Sequence, residues 1–481
     1  MLFNSFAFLG FLTLVVAAYY VLPHRWRWLL LLLASSYFYS TFQPAYLLLL
    51  VYAAGVAYLV GLGLAGRGGT RSGRLLLTLG IIGELSVLAL FKYANFLAES
   101  VEGALGWLAI AAEPIALPRL EFLLPAGLSF YVFSAISYLV DVKRGVMPPE
   151  RHLGKLALYI AFFPKLLAGP IERAGPFLKQ LEEKVRFDPE TVTFGLQLLL
   201  WGMFKKVVIA DRLAAFVDAG FNSPDFQSPV TVLVAVYFYA FQIYCDFSGY
   251  SDMAIGASAL FGIKLMENFR RPYFATSVPE FWSRRWHISL MAWFRDYVYI
   301  PLGGNRVAKA RWYANIMIVF MISGLWHGAS WTFVVWGGLN GLYQIFYFVL
   351  SGVRARLAAA LPDWVWNTLA LLITFHLITF SWIFFRADSI AQAWAVVGRI
   401  QGALVQMPTL LGAYPWTGEF WLALGLIATL IGMEALDEKR GLWQWLAERP
   451  LAVRWGFYYA VLGCLAIIGQ WGLSEFVYMR F

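Results

Sequence analysis

Apolar residues in this chain fall in long runs, not in the stripes of an amphipathic helix or the alternation of a half-buried strand. The runs include Leu2 to Leu22, Leu47 to Ala65, Val230 to Tyr244, Ile316 to Trp326, Val334 to Leu350, Leu369 to Phe385, Phe420 to Met433 and Phe457 to Trp471. About 20 apolar residues in a helix cross the hydrocarbon core of a bilayer. Several runs are shorter or are cut by Gly, Pro or charge. In lipid, such interrupted backbone persists only where protein or a water-filled cavity covers it. The pattern therefore predicts an all-α integral membrane protein of about 11–13 transmembrane and re-entrant helices. The first run has no basic start and no small-residue cleavage site, and it leads straight into further apolar segments. It reads as part of the fold, not as a signal peptide.

The polar stretches between the runs carry the remaining structural signal. Glu172 to Glu190 (ERAGPFLKQLEEKVRFDPE) predicts a short amphipathic helix on the membrane surface. Glu267 to Arg285 (ENFRRPYFATSVPEFWSRR) contains Pro272 and Pro279 and predicts a loop folded into the protein. AFFPKLLAGPIERAGP, with Lys165 and Glu172 beside prolines, predicts a re-entrant helix. In QIYCDFSGYSDMAIG, Gly249 predicts a break that opens backbone to a cavity. Asp246 and Asp252, six positions apart, fall on different helix faces and do not form an acid–base dyad. No internal repeat or large soluble region is evident. Residues 1–481 read as one membrane domain.

Composition agrees. The chain is 60% hydrophobic and 14% charged, against about 45–50% and 25% in soluble domains. So little charge leaves lipid as the solvent for most of the surface. The net charge of +9 gathers between the runs, for example at Arg67, Arg71 and Arg74, at Lys143, Arg144 and Arg151, and at Arg306, Lys309 and Arg311. This matches the positive-inside bias of cytoplasmic loops and excludes nucleic acid as the natural partner. Cys245 and Cys464 are the only cysteines. They form neither a disulfide framework nor a metal-spaced cluster, so no metal is expected.

Polar groups at membrane depth are costly and point to function. His327 lies in MISGLWHGASWTFVVWGG, with Gly324 and Gly328 beside it and Trp326, Trp331 and Trp336 around it. Glycines permit close approach, aromatics make a dry wall, and a neutral imidazole there accepts a proton. A core histidine bonded to a carbonyl is the competing reading. His287 lies in FWSRRWHISLMAWFRDYVYIPLGGNR, beside Arg284, Arg285, Arg295 and Asp296. Arg295 with Asp296 suits a structural ion pair, and Arg284 with Arg285 suits cofactor phosphates. His376 has no polar company, and His24 and His152 fall in basic loops.

FWSRRWHISLMAWFRDYVYIPLGGNR followed by SGLWHG closely resembles the signature of the membrane-bound O-acyltransferase (MBOAT) superfamily. LPAGLSFYVFSAISYLVDVKRG, FFPKLLAGPIERA, KKVVIADRLA, YCDFSGYSDMAIG and WIFFRA resemble its bacterial AlgI-type branch, which holds the membrane subunit of alginate O-acetylation. The resemblance implies a ring of helices around a funnel, with an acyl thioester entering from the cytoplasm and the acyl group leaving outward. It places the family's essential histidine at His327 and its second at His287. Acetyl-CoA is then a donor substrate and no cofactor is permanently bound. Arg284, Arg285, Arg295 and Trp326 are candidate donor contacts. Oxyanion donors would come from the indoles of Trp326 or Trp331 or from amides near Gly324.

The chain ends SEFVYMRF, placing Phe476, Tyr478 and Phe481 in an F-x-Y-x-x-F pattern over 476–481 that resembles the branch's terminal motif. The resemblance makes Tyr478 a candidate acyl relay, against the plainer reading of an aromatic interface anchor. It further implies a multi-pass protein of the cytoplasmic (inner) membrane that supplies acetyl groups to an exported polysaccharide or peptidoglycan. The implied partner is a periplasmic or surface SGNH-type O-acetyltransferase. D-alanyl transfer from a carrier protein to teichoic acid is the alternative within the superfamily. A transporter without acyl chemistry is the alternative outside it, and the absence of repeated halves weighs against that.

Overall fold

A computed structural model of the chain describes residues 1–108, 116–413, 416–472 and 476–477, and all regular structure among them is helical. Six helices are long and apolar enough to cross a membrane: Pro44–Leu64, Arg71–Trp107, Pro189–Phe221, Pro229–Ala259, Asp363–Arg386 and Gly418–Arg440. Trp331–Val349 and Ser351–Ala360, bent by 64°, make a seventh if taken as one span. The shorter apolar helices Phe6–Val21 and Leu451–Ile467 join them. Large apolar side chains such as Leu14, Val21, Leu48 and Leu59 face outward. Lys165, Lys206, Asp211, Asp246, His287 and His327 face inward. This inversion of the soluble pattern is what a lipid solvent imposes.

Helix ends and bonds between loops sort the connections onto two faces. On one, Arg27 donates to Val185 O (2.7 Å), Arg144 to Asp296 O (3.0 Å) and Arg285 to Glu438 (3.0 Å). On the other, Arg386 reaches Asp218 (2.7 Å) and Gln392 donates to Phe221 O (2.7 Å).

The re-entrant expectation at residues 161–176 matches the structure. Leu153–Ala161 has nine residues, too few to cross, and meets the stub Phe163–Leu166. The chain then returns to the face it left, where Lys155 pairs with Glu182 (3.4 Å) and Arg173 with Asp296 (3.0 Å). The expected surface helix from Glu172 is shorter than its polar stretch. Only Ala174–Gln180 is helical, with Phe177 and Leu178 buried, and Asp188 caps the next helix by accepting from Thr191 N at 3.2 Å.

Gly249 does not break its helix, contrary to expectation. Pro229–Ala259 runs unbroken for 31 residues. A Cβ on Gly249 would meet Gly202 O at 2.8 Å, so the missing side chain serves a close helix crossing and not a bend. The irregularity lies across the crossing, in the π-helical turn Phe204–Ala210. It delivers two consecutive lysines to two carboxylates that face apart. Lys205 pairs with Asp252 (2.7 Å), and Lys206 with Asp246 (2.7 Å) and Asp211 (2.8 Å). Here each buried lysine is matched by carboxylates, which offsets the cost of its burial.

Candidate active site

His327 is the last residue of the helix Lys309–His327 and is buried. Gly324 and Gly337 let this helix and Trp331–Val349 cross with their backbones touching, since a Cβ on Gly324 would lie 3.4 Å from Gly337 Cα and press on Phe333 O. The crossing sets the walls of the imidazole. Trp326 and Trp336 stand edge-on with ring centroids at 4.9 Å, and Phe385 at 5.3 Å.

His287 comes from the polar loop that the prolines foretold. It sits between the π-helical turn Phe281–Arg285 and the helix Ile288–Phe294, in left-handed backbone at φ 45°. Such backbone is costly without glycine and persists where the surroundings enforce it. Asn268 enforces it here. Its carbonyl accepts Ile288 N (2.9 Å), its side-chain oxygen accepts Ser289 Oγ (2.8 Å), and its amide donates to Ser251 Oγ (3.0 Å). The His287 ring packs on Phe247 (4.6 Å), Trp326 (5.9 Å) and Phe130 (6.2 Å).

The two histidines meet with ring centroids 6.3 Å apart. Trp326 touches both, and its indole N–H has no hydrogen-bond partner among the described residues. A buried donor on a ring that packs against both imidazoles suits charge that develops on a carbonyl oxygen. Trp331, the other indole considered, is turned outward against Phe96 (5.7 Å) and does not reach the pocket.

The arginines stand apart from this pocket. Arg285 is held by Glu280 (2.6 Å) and Glu438 (3.0 Å), Arg295 is exposed and bonded to Asp296 (2.8 Å), and Arg284 is exposed. The ion pair anticipated for Arg295 and Asp296 is present. A cavity of about 720 Å³ opens on the same face, lined among others by Lys205, Tyr244, Asp252, Phe269, Arg271 and Glu434. Tyr244 donates to Glu434, and Arg271 binds Asp437 and Glu438. Phe269 is shared, since its other side stacks toward His287 at 6.3 Å. Lys205 lies in KKVVIADRLA and Tyr244 and Asp252 in YCDFSGYSDMAIG, but only the fold brings them together with Phe269, Arg271 and Glu434.

Of the terminal motif, Tyr478 and Phe481 lie outside the described residues. Phe476 is buried, with Lys206 Nζ 4.5 Å above its ring and Tyr250 at 5.0 Å, and Val477 N donates to Asp246 Oδ2 (2.8 Å). Phe476 and Val477 are thus bound against the helix whose Phe247 packs on His287.

Two buried histidines walled by aromatic rings, with an indole donor that packs on both, make a candidate group-transfer site. Comparison with known proteins supplies the family. The profile described as "MBOAT, membrane-bound O-acyltransferase family" matches residues 151–386. The chain is 39% identical over 426 residues to the probable alginate O-acetylase AlgI of Azotobacter vinelandii, covering 85% of this chain and 82% of the relative. It is 36% identical to the peptidoglycan O-acetyltransferase of Helicobacter pylori, covering 84% and 80%. It is 29% identical to the teichoic acid D-alanyltransferase of Bacillus subtilis, covering 54% and 68%. The chain belongs to the membrane-bound O-acyltransferase family and is an acyltransferase.

Proposed function

We propose that the enzyme takes an acetyl group from acetyl-CoA and passes it across the inner membrane for O-acetylation of an exported polysaccharide or peptidoglycan. The observation that carries this reading is the meeting of His287 and His327, with Phe269 joining the His287 ring to the cavity and Val477 bound one position from Phe247, which packs on His287. Arg67, Arg71, Arg74, Lys143 and Arg144 lie on the cavity face. The positive-inside bias makes that face cytoplasmic. The cavity then receives the thioester donor; Arg270 and Arg271 on its lining are held by Glu267, Asp437 and Glu438.

His327 accepts the proton of a hydroxyl as its oxygen attacks the thioester carbonyl. The C–O bond forms, the C–S bond breaks, and the CoA thiolate leaves and takes up the proton. The Trp326 indole donates to the carbonyl oxygen as it gains charge. The hydroxyl is that of Tyr478, whose ester holds the acetyl group on the outer side until a periplasmic SGNH-type transferase moves it to the polymer. Support comes from Val477, the residue before Tyr478, which is bound by Asp246 one position from Phe247. Relatives named for alginate and peptidoglycan O-acetylation support a glycan acceptor. The test is transfer of labelled acetyl from acetyl-CoA supplied on the cytoplasmic face to acceptor on the other. Transport of intact substrate without loss of CoA would refute it.

A further inference from the structure

The last carbonyls of a helix have no partners within it, and a helix commonly closes on a left-handed glycine. The helix that carries His327 does not use that device. Gly328 follows in extended backbone, at φ −159°. Its N–H closes on Gly324 O (3.1 Å), which leaves the carbonyls of Leu325, Trp326 and His327 to be satisfied from outside.

One outside turn satisfies all three. The π-helical turn Ala89–Tyr93 presents Lys92 and Tyr93 side by side. Tyr93 OH donates to Leu325 O (2.8 Å), and Lys92 Nζ donates to Trp326 O (2.6 Å) and His327 O (3.3 Å). The third ammonium contact is Ser129 Oγ (3.5 Å). Among the described residues no carboxylate pairs with Lys92, so the cation rests on carbonyl dipoles and on the negative end of the helix. Lys92, Ser129, Trp326 and His327 also line one small cavity, so the ammonium stands in the wall of the reaction site.

We propose that Lys92, seconded by Tyr93, is a positioning residue that fixes the last turn of this helix and with it the aim of the His327 imidazole. The proposal rests on His327 being the base of acyl transfer. Its effect is geometric, so it falls on kcat and spares donor binding in the cavity beyond Phe269.

The test uses the full-length enzyme in membranes, with acetyl-CoA as donor. Lys92→Met keeps the length of the side chain and removes the donors, and its kcat is expected to fall about 100-fold, the loss that accompanies a misplacement of about 1 Å. Its KM for acetyl-CoA stays within about twofold, as uniform binding is untouched. Lys92→Arg, which keeps a cation with several donors, recovers about tenfold of the lost kcat. Tyr93→Phe loses about fivefold, in line with one neutral hydrogen bond. Unchanged kcat in Lys92→Met, or a loss confined to KM, overturns the proposal. Should Lys92→Met not fold, Tyr93→Phe decides, and unchanged kcat there overturns it equally. His327→Ala in the same assay separates the two layers. Activity in that variant removes the base itself. Inactivity there with an unaffected Lys92→Met refutes the positioning role alone.

Discussion

His287 and His327, 40 residues apart in sequence, lie with ring centroids 6.3 Å apart, and Trp326 closes a triangle with them by packing on both. One is aimed by strained loop backbone and the other by a helix end. Here aromatic walls and backbone closure do the orienting.

The indole of Trp326 has two separable functions, wall and donor. Trp326→Phe keeps most of the wall and deletes the N–H. Steady-state kinetics of this variant are expected to show kcat lowered about 100-fold, the scale of one lost oxyanion donor. An equal loss in donor binding would assign Trp326 to the donor site instead.

Asp246 joins two tasks, since one oxygen holds Lys206 and the other accepts Val477 N. Asp246→Asn leaves a buried ammonium with less compensation. Removing one partner of such a pair costs about 3–5 kcal/mol, which thermal unfolding in detergent will report as a lowered midpoint. Asp246→Ala, which removes both acceptors, should also free the C-terminal segment, read as faster carboxypeptidase trimming than in the parent enzyme.

At Gly249 the expected effect is steric. A Cβ there would meet Gly202 O at 2.8 Å, and carbonyl backbone cannot swing aside as a side chain does. Gly249→Ala is expected to destabilise by about 1–3 kcal/mol, the range for overpacking. Gly10→Ala, where nothing lies within 4 Å, should leave the unfolding midpoint unchanged.

Tyr478→Phe keeps the ring and deletes the nucleophile. With the relay as proposed, acetylation of the polymer stops in that variant while acetyl-CoA still binds, as measured by equilibrium dialysis. Normal polymer acetylation would leave Tyr478 an interface anchor.

The sequence made the membrane class and the identity of both histidines legible for a simple reason. Lipid exposure forces long apolar runs, and against them a His in LWHG or RRWH stands out. The Pro272 and Pro279 loop and the re-entrant turn at Pro164 were legible through backbone chemistry. What stayed hidden was pairing across the fold. Gly249 looked like a break because glycine serves both kinks and close crossings, and only the crossing with Gly202 decides between them. Lys92 gave no local signal, because its role depends on a helix end more than 230 positions later. Arg284, Arg285 and Arg295, neighbours of His287 in sequence, are proposed donor contacts whose place in the fold differs from that of the imidazole. The left-handed turn at His287 sends that ring inward while Arg284 and Arg295 stay exposed and Arg285 is tied to Glu280 and Glu438.

The most direct test of the central claim is single-turnover transfer from labelled acetyl-CoA by membranes holding His327→Ala. The account predicts that donor binding persists while formation of the acetyl ester falls by about 100-fold or more, as loss of a general base requires. Ester formation at the parental rate in that variant would contradict it.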